Sequence, residues 1–299
     1  MKWYVFLRIV EIRTKIISLS TFAIGTLLAV AHGHSLDPVL FVLMLSATLL
    51  VDMGTTGFNT FFDYYRGVDA AQHNREKDKV LVHNNVAPGL ALIISAGLFA
   101  AAVVLGAIIA YLTSWWVAGV GAVCMLVGYV YTGGKHPISA TPVGELFAGG
   151  FLGAVLFVLS YYVQAGDWGA DVVLAAMPST LLIASILAVN NACDVVGDAA
   201  AGRKTLAVLL RPNHSALPIP VLYALGILSA PAAAWLGAIP WAAAIAVVVS
   251  ALHGTVVLRG MYRRGFSHET KGPNMGAISQ MFLIFSLCFL VGLTVSVMV

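Results

Sequence analysis

Charge is what this sequence has least of. Only 10% of its 299 residues are Asp, Glu, Lys or Arg, while 60% are hydrophobic. A soluble domain carries about 25% charged residues. A water-facing surface cannot be assembled from this chain, so the lipid bilayer is its natural solvent. Cysteine is also scarce. Cys124, Cys193 and Cys288 sit in or beside apolar stretches, with neither metal-ligand spacing nor a disulfide framework, and read as small packing residues. No glycine-rich Walker-type phosphate loop occurs, which leaves ATP-driven chemistry without support. The start, Met1 to Lys15, is basic and amphipathic, and no A-x-A-like site follows the first apolar run. A cleaved signal peptide is therefore not expected.

What the chain has in quantity is apolar sequence. Backbone in lipid must satisfy its own hydrogen bonds, which leaves helices or a closed barrel. Runs such as 95–112 and 278–299 are too long for barrel strands. Nine spans are expected, at about 16–32, 39–61, 86–111, 116–133, 144–163, 171–192, 216–236, 239–258 and 275–298. Each is close to the ~20 residues that cross the hydrocarbon. The expected fold is an all-α membrane protein, a nine-helix transmembrane bundle forming one domain over 1–299.

Positive charge is distributed on one side only. All 16 Lys and Arg residues fall in the N-terminal segment or in the connections after spans two, four, six and eight. The opposite loops, His32–Pro38, Leu112–Trp115, Gln164–Asp171 and Gly237–Pro240, hold none. The positive-inside rule then places the N-terminus in the cytoplasm of a cell (inner) membrane protein. The net charge of +3 is a topology signal, and no nucleic-acid partner is expected. The polar connections near 62–85 and 193–215 lie on this same cytoplasmic side, and long polar loops are where function is expected.

Two motifs stand out at that face. One reads Asn59-Thr-Phe-Phe-Asp63-Tyr64-Tyr65-Arg66-Gly67-Val-Asp69. The other reads Asn190-Asn191-Ala-Cys-Asp194-Val-Val-Gly-Asp198, followed by Gly202-Arg203-Lys204-Thr205. Both contain Asn-x-x-x-Asp. Spacing of four places Asn190, Asp194 and Asp198 on one helix stripe, and Asn59 and Asp63 on another. In the first motif Gly67 occupies the position of the third polar residue and the acid follows at Asp69. Acids at the membrane edge usually face a polar cavity. Oxygen-only ligands suit Mg²⁺, which takes one or two carboxylates and completes its shell with water and phosphate. Arg66, Arg203 and Lys204 offer the cationic complement to a phosphate. The alternative for each acid alone is an ordinary ion pair at a helix end.

At these residues the sequence resembles the UbiA superfamily of intramembrane prenyltransferases, with its nine-helix bundle and two Asp-rich motifs. The displaced acid of Asn59…Asp63…Gly67-Val-Asp69 looks like the 1,4-dihydroxy-2-naphthoate (menaquinone) branch. So do Tyr131-Thr-Gly-Gly-Lys135-His-Pro-Ile-Ser-Ala-Thr-Pro-Val-Gly144-Glu145-Leu-Phe and Gly202-Arg-Lys-Thr-Leu-Ala-Val208. Lys79-Val-Leu-Val-His83-Asn84-Asn85-Val-Ala-Pro88 departs from a more glycine-rich segment of quinone-making members, and Arg203-Lys204 stands where they often have Lys-Arg.

The resemblance implies Mg²⁺ held by Asp63, Asp69, Asp194 and Asp198, with Asn59 and Asn190 or Asn191 assisting. It implies a polyprenyl diphosphate and a small aromatic acceptor as substrates. The prenyl group would leave as an allylic cation in a dry pocket, with Tyr64, Tyr65, Tyr131, Phe147 and Tyr161 as candidate aromatic faces. A lipid-facing opening would release the product. Rival expectations are another aromatic acceptor, an acceptor-free membrane terpene cyclase, or a cation-coupled transporter.

Further candidates are Asp52, two turns deeper than Asn59 on roughly the same face; Glu145, at the start of the fifth span; and Lys135, Lys77 and Lys79 for diphosphate. His73, His83 and His136 are candidate bases in the polar loops. Pro178, Pro220 and Pro231 are expected to kink or start helices.

Overall fold

The computed structural model describes residues 3–68, 80–83, 86–210 and 213–299. The chain opens with a short helix, α1 (Trp3–Ile9), and a 3-10 turn at Ile12–Lys15 that leads into α2 (Ile16–Ala31). Then come α3 (Pro38–Tyr65), the short α4 (Val80–His83), α5 (Pro88–Leu112) and α6 (Trp115–Thr132). The fifth span is made of α7 (Gly144–Gly149), a π-helical stretch at Gly150–Val155 and α8 (Leu156–Ala165). The remainder is α9 (Ala170–Cys193), α10 (Val195–Ala200), α11 (Leu206–Leu209), α12 (Pro218–Trp235), α13 (Trp241–Arg264) and α14 (His268–Met298). Among the described residues, nine helices are long and apolar enough to cross a membrane. The chain is an integral membrane protein by that measure, and the span count is the expected one.

Local sequence explains where the helices start. Asp37 caps α3 by accepting from the backbone N–H groups of Val39 and Leu40, with Pro38 in the first turn where its missing N–H costs nothing. The last span begins at His268, not near 275. Ser267 and Thr270 form a reciprocal capping box, which starts a helix through polar residues that hydropathy assigns to a loop. Pro178 and Pro231 lie inside α9 and α12, Pro220 falls in the first turn of α12, and Pro273 lies near the start of α14.

One large core joins α2, α8, α9, α12, α13 and α14 around Phe157, Leu182, Phe282, Phe285 and Phe289. A smaller core joins α2, α3, α5, α6 and α8 around Phe22, Met44 and Ile109. Small residues allow the close approaches that pack helices in lipid. A Cβ on Gly149 would lie 2.5 Å from the carbonyl oxygen of Thr180 on α9.

The N-terminal helix is stitched to α3. Thr60 Oγ1 donates to the Ile9 carbonyl at 3.0 Å, and Thr56 Oγ1 lies 2.9 Å from that of Val10. These carbonyls at the helix end would otherwise be unsatisfied. Glu11 follows with φ 48°, the only non-glycine residue with positive φ among the described residues, and turns the chain into the first span.

Candidate active site

One stripe of α3 carries Thr48, Asp52, Thr55, Thr56, Asn59 and Asp63, and all six line a single cavity of about 1720 Å³. Opposite them, Asn190, Asn191, Asp194, Asp198, Arg203, His268 and Lys271 line the same cavity. Its body is apolar: Met44, Val117, Met125, Phe147, Phe151 and Leu156 contribute, and it reaches Trp115 at the far end of α6. The two Asn/Asp motifs, far apart in sequence, therefore face one space, polar at one end and apolar along its length.

The end of α3 is held by α6. Thr132 Oγ1 donates to Asn59 Oδ1 at 2.7 Å, which fixes the orientation of that amide. Arg66 donates to the backbone carbonyls of Thr132 and Gly134. It thus ties the two helix ends together, and its side chain is absent from the cavity lining. Asp69 lies outside the described residues, as do His73, Lys77, Lys79, Asn84 and Asn85.

The second motif differs from the expected continuous stripe. α9 ends at Cys193, and Asp194 adopts φ −104°, ψ 8° before α10 begins. The Asp198 N–H still donates to the Asp194 carbonyl at 2.8 Å, so the one-turn spacing survives the break. Each acid meets a cation. Lys271 Nζ lies 2.8 Å from Asp194 Oδ2, His268 Nδ1 lies 3.6 Å from Oδ1, and Arg203 Nη1 lies 2.9 Å from Asp198 Oδ1. Thr205 Oγ1 also reaches Asp198, at 3.5 Å. Burial pushes the Asp198 carboxyl up to about 6, and nearby Asp194 adds to the rise. Arg203, Lys271 and the Thr205 hydroxyl oppose it. Arg203 also donates to the Ser139 carbonyl at 2.7 Å, and the Lys204 N–H to that of Ala140 at 2.8 Å. These two bonds dock the α6–α7 connection onto the motif.

Other expected residues are placed differently. Glu145 is 4% exposed and accepts from Asn191 Nδ2 at 2.8 Å. It stands behind Asn191, away from the cavity. Tyr131 and Phe147 line the cavity. Tyr64 and Tyr65 are exposed, and Tyr161 packs at 3.0 Å from His32 Nδ1 toward the other end of the bundle. Lys135, Lys204, His83 and His136 are exposed and outside the cavity lining. Residues the sequence did not single out also line it: Lys271, His268, Arg8, Glu11 and Arg13. The first two come from the polar turn taken for a loop. The last three come from a basic segment read only as a topology signal.

The donor set can be tested against Mg²⁺. Asp63, Asp194, Asp198, Asn59 and Asn190 offer oxygen ligands only. Among the described residues no three His, Cys, Asp or Glu side chains come together closely enough to enclose a metal. Mg²⁺ does not require such a cage, because it holds one or two carboxylates and takes the remainder from water and phosphate. The residues present fit that mode.

A model of the UbiA prenyltransferase family matches residues 18–271. The chain belongs to this family. A 1,4-dihydroxy-2-naphthoate octaprenyltransferase of Bacillus subtilis is 35% identical over 187 residues, which are 62% of this chain and 60% of the relative. Its Mycobacterium tuberculosis namesake is 33% identical over 157 residues, 52% of this chain and 53% of the relative. Human UbiA prenyltransferase domain-containing protein 1 is 29% identical over 201 residues, 66% of this chain and 58% of the relative. The chain thus spans less than two thirds of the length of these curated relatives. Among solved structures, a UbiA homologue from Aeropyrum pernix superposes with TM-score 0.72 at 15% identity, covering 95% of this chain and 98% of that one. A UbiA homologue from Archaeoglobus fulgidus bound to GPP and Mg²⁺ superposes with TM-score 0.67 at 18% identity, covering 96% and 99%. These likenesses establish the UbiA fold.

Proposed function

We propose that this UbiA-family protein transfers a prenyl group from a polyprenyl diphosphate to an aromatic acceptor, 1,4-dihydroxy-2-naphthoate. The observation that carries the proposal is the single cavity, which joins both Asn/Asp motifs to a long apolar body. A prenyl diphosphate has the same two halves. The named activity of the Bacillus subtilis and Mycobacterium tuberculosis relatives supports the naphthoate acceptor.

The diphosphate belongs at the polar end. Asp63 from one side, and Asp194 and Asp198 from the other, would hold Mg²⁺ together with Asn59 and Asn190, as would Asp69. Bound there with the diphosphate, Mg²⁺ supplies electrostatic stabilisation of the leaving group. Arg203 and Lys271 add positive charge where negative charge develops as the C–O bond breaks. The apolar walls exclude water from the allylic cation, and Tyr131 and Phe147, which line the cavity, would stabilise it through their aromatic rings. The electron-rich ring then attacks that cation to form the new C–C bond, and in the naphthoate reaction the ring carboxylate departs as CO₂, leaving its bonding electron pair to the ring.

The one-sided distribution of positive charge supports a cytoplasmic N-terminus and an active site opening to the cytoplasm. The acids gather at one end of the bundle, which favours this chemistry over ion transport across the membrane.

The test is incubation of purified protein with Mg²⁺, a labelled polyprenyl diphosphate and 1,4-dihydroxy-2-naphthoate under reducing conditions. Prenylated naphthoquinol is the expected product. Diphosphate release with formation of a hydrocarbon, whatever the acceptor, would replace the transferase reading with a cyclase. Absence of any diphosphate release would end both.

A further inference from the structure

A second polar group reaches the same cavity from α3, about two helical turns from Asn59 and apart from both Asp motifs. Lys15 Nζ sits 2.5 Å from Asp52 Oδ1 and 3.1 Å from Thr56 Oγ1. Ser18 Oγ donates to Asp52 Oδ2 at 2.5 Å. The two charged partners are unequally placed. Lys15 is 2% exposed and is absent from the cavity wall, while Asp52 is 11% exposed and forms part of it. The lysine backs the carboxylate, and the carboxylate faces the cavity. One turn deeper on the same wall, Thr48 has a buried hydroxyl with no partner among the described residues. A buried hydroxyl usually finds one, commonly the carbonyl four residues back.

A stapling role between α2 and α3 does not account for this arrangement. Apolar residues of similar volume often replace a buried ion pair at no cost in stability. Helices in lipid join well through small residues alone. A charge kept at this depth usually marks function. An ionised carboxylate offers about four acceptor positions. Lys15 and Ser18 take one on each oxygen, which leaves capacity toward the cavity. The ligand matched to it is a donor, an O–H group.

We propose that Asp52, backed by Lys15 and Ser18 and completed by Thr48, is the recognition site for the hydroxyl groups of the aromatic acceptor. The assignment rests on the prenyl-transfer reading for the identity of that acceptor. Asp52 lies about two helical turns, on the order of 10 Å, below Asn59. It is therefore below the diphosphate, where the reactive end of the prenyl chain enters the apolar space. Asp52 accepts from one ring hydroxyl, and a χ1 rotation would turn the buried Thr48 hydroxyl to a second polar group one turn away, about 5–6 Å between Cβ atoms. That spacing suits two oxygens on opposite sides of one ring. The acceptor's own carboxylate turns away from Asp52, toward Arg8 and Arg13, which line the same cavity.

The test measures acceptor and donor separately in the full-length protein, in detergent or lipid nanodiscs. Equilibrium binding of 1,4-dihydroxy-2-naphthoate, kept reduced and followed by its fluorescence, is compared in wild type, Asp52→Asn and Thr48→Val. Binding should weaken about 10- to 100-fold in Asp52→Asn and about 2- to 10-fold in Thr48→Val. The KM for the prenyl diphosphate should stay within about two-fold of wild type in both. The mono-methyl ether of the acceptor should bind wild type more weakly and lose nothing further in Asp52→Asn. Unchanged acceptor binding in both variants overturns the proposal, and so does an equal rise in the two substrates' constants. Should Asp52→Asn fail to fold with Lys15 left unpaired, Thr48→Val and the methyl ether decide alone. Wild-type protein that binds the naphthoate but forms no product would refute the transferase reading and leave this site standing. Wild-type protein that forms product while both variants bind normally would do the reverse.

Discussion

Each acid described at the cavity mouth beyond α9 is matched to a cation from another element, Asp194 to Lys271 and Asp198 to Arg203. The acids themselves were readable in the sequence, because Asn-x-x-x-Asp repeats at two span ends. Arg203, five positions from Asp198 in the same motif, was readable too, but Lys271 and Lys15 were not, since Lys271 arrives from the last helix and Lys15 reaches Asp52 from 37 positions away. Sequence spacing reports neighbours along one helix and is silent about those across the bundle. The same limit explains Glu145. It was a candidate for binding, yet it orients Asn191 from behind, and its Oε2 is buried without a partner among the described residues. Two predictions follow from these residues. Asp63→Ala or Asp194→Ala should lower prenyl transfer by roughly 100-fold or more while the purified protein keeps its circular dichroism. Wild-type rates from either would dismantle the site. Glu145→Ala should leave the Asn191 amide unpaired and cost about 1–3 kcal/mol, read as a lower midpoint of thermal unfolding in detergent. Glu145→Gln, which keeps an acceptor oxygen, should restore most of it.

At the level of helices, the count of nine and most boundaries followed from apolar length alone. The exceptions lie at polar helix ends: α13 runs on through Arg259, Arg263 and Arg264 to its cap at Gly265, past the expected end near 258. The capping box at Ser267 and Thr270 extends α14 by about two turns and thereby delivers His268 and Lys271 to the cavity. Asp194 breaks α9 where spacing implied one continuous helix, and periodicity carries no mark of such a break. The π-helical stretch at Gly150–Val155 was equally invisible. Gly149, just before it, and Gly153, within it, both pack against Thr180 of α9. Gly149→Val should force these helices apart at a cost of about 1–3 kcal/mol. A lowered unfolding midpoint would show it, whereas Gly106→Ala, with open space at its Cβ position, should leave the midpoint unchanged.

At the level of the whole molecule, the cavity gives the two ends of the bundle different environments. Removal of divalent cations with EDTA should abolish transfer, and added Mg²⁺ should restore it; turnover that persists in EDTA would exclude the oxygen-ligand scheme. Sidedness is testable without activity. With Cys124, Cys193 and Cys288 replaced, Ser114→Cys should react with a membrane-impermeant thiol reagent added outside intact cells. Lys135→Cys should react only after permeabilisation, and the opposite pattern would invert the orientation.

The Lys15–Asp52 pair also bears on how the chain enters its membrane. Lys15 stands at the entrance to the first span and Asp52 within the second, and either charge alone in hydrocarbon is expensive, by about 2.5–3.5 kcal/mol on insertion scales. Matched at 2.5 Å, they neutralise each other. The first two spans are therefore suited to leave the insertion machinery together as a helical hairpin, closed before the third span is made.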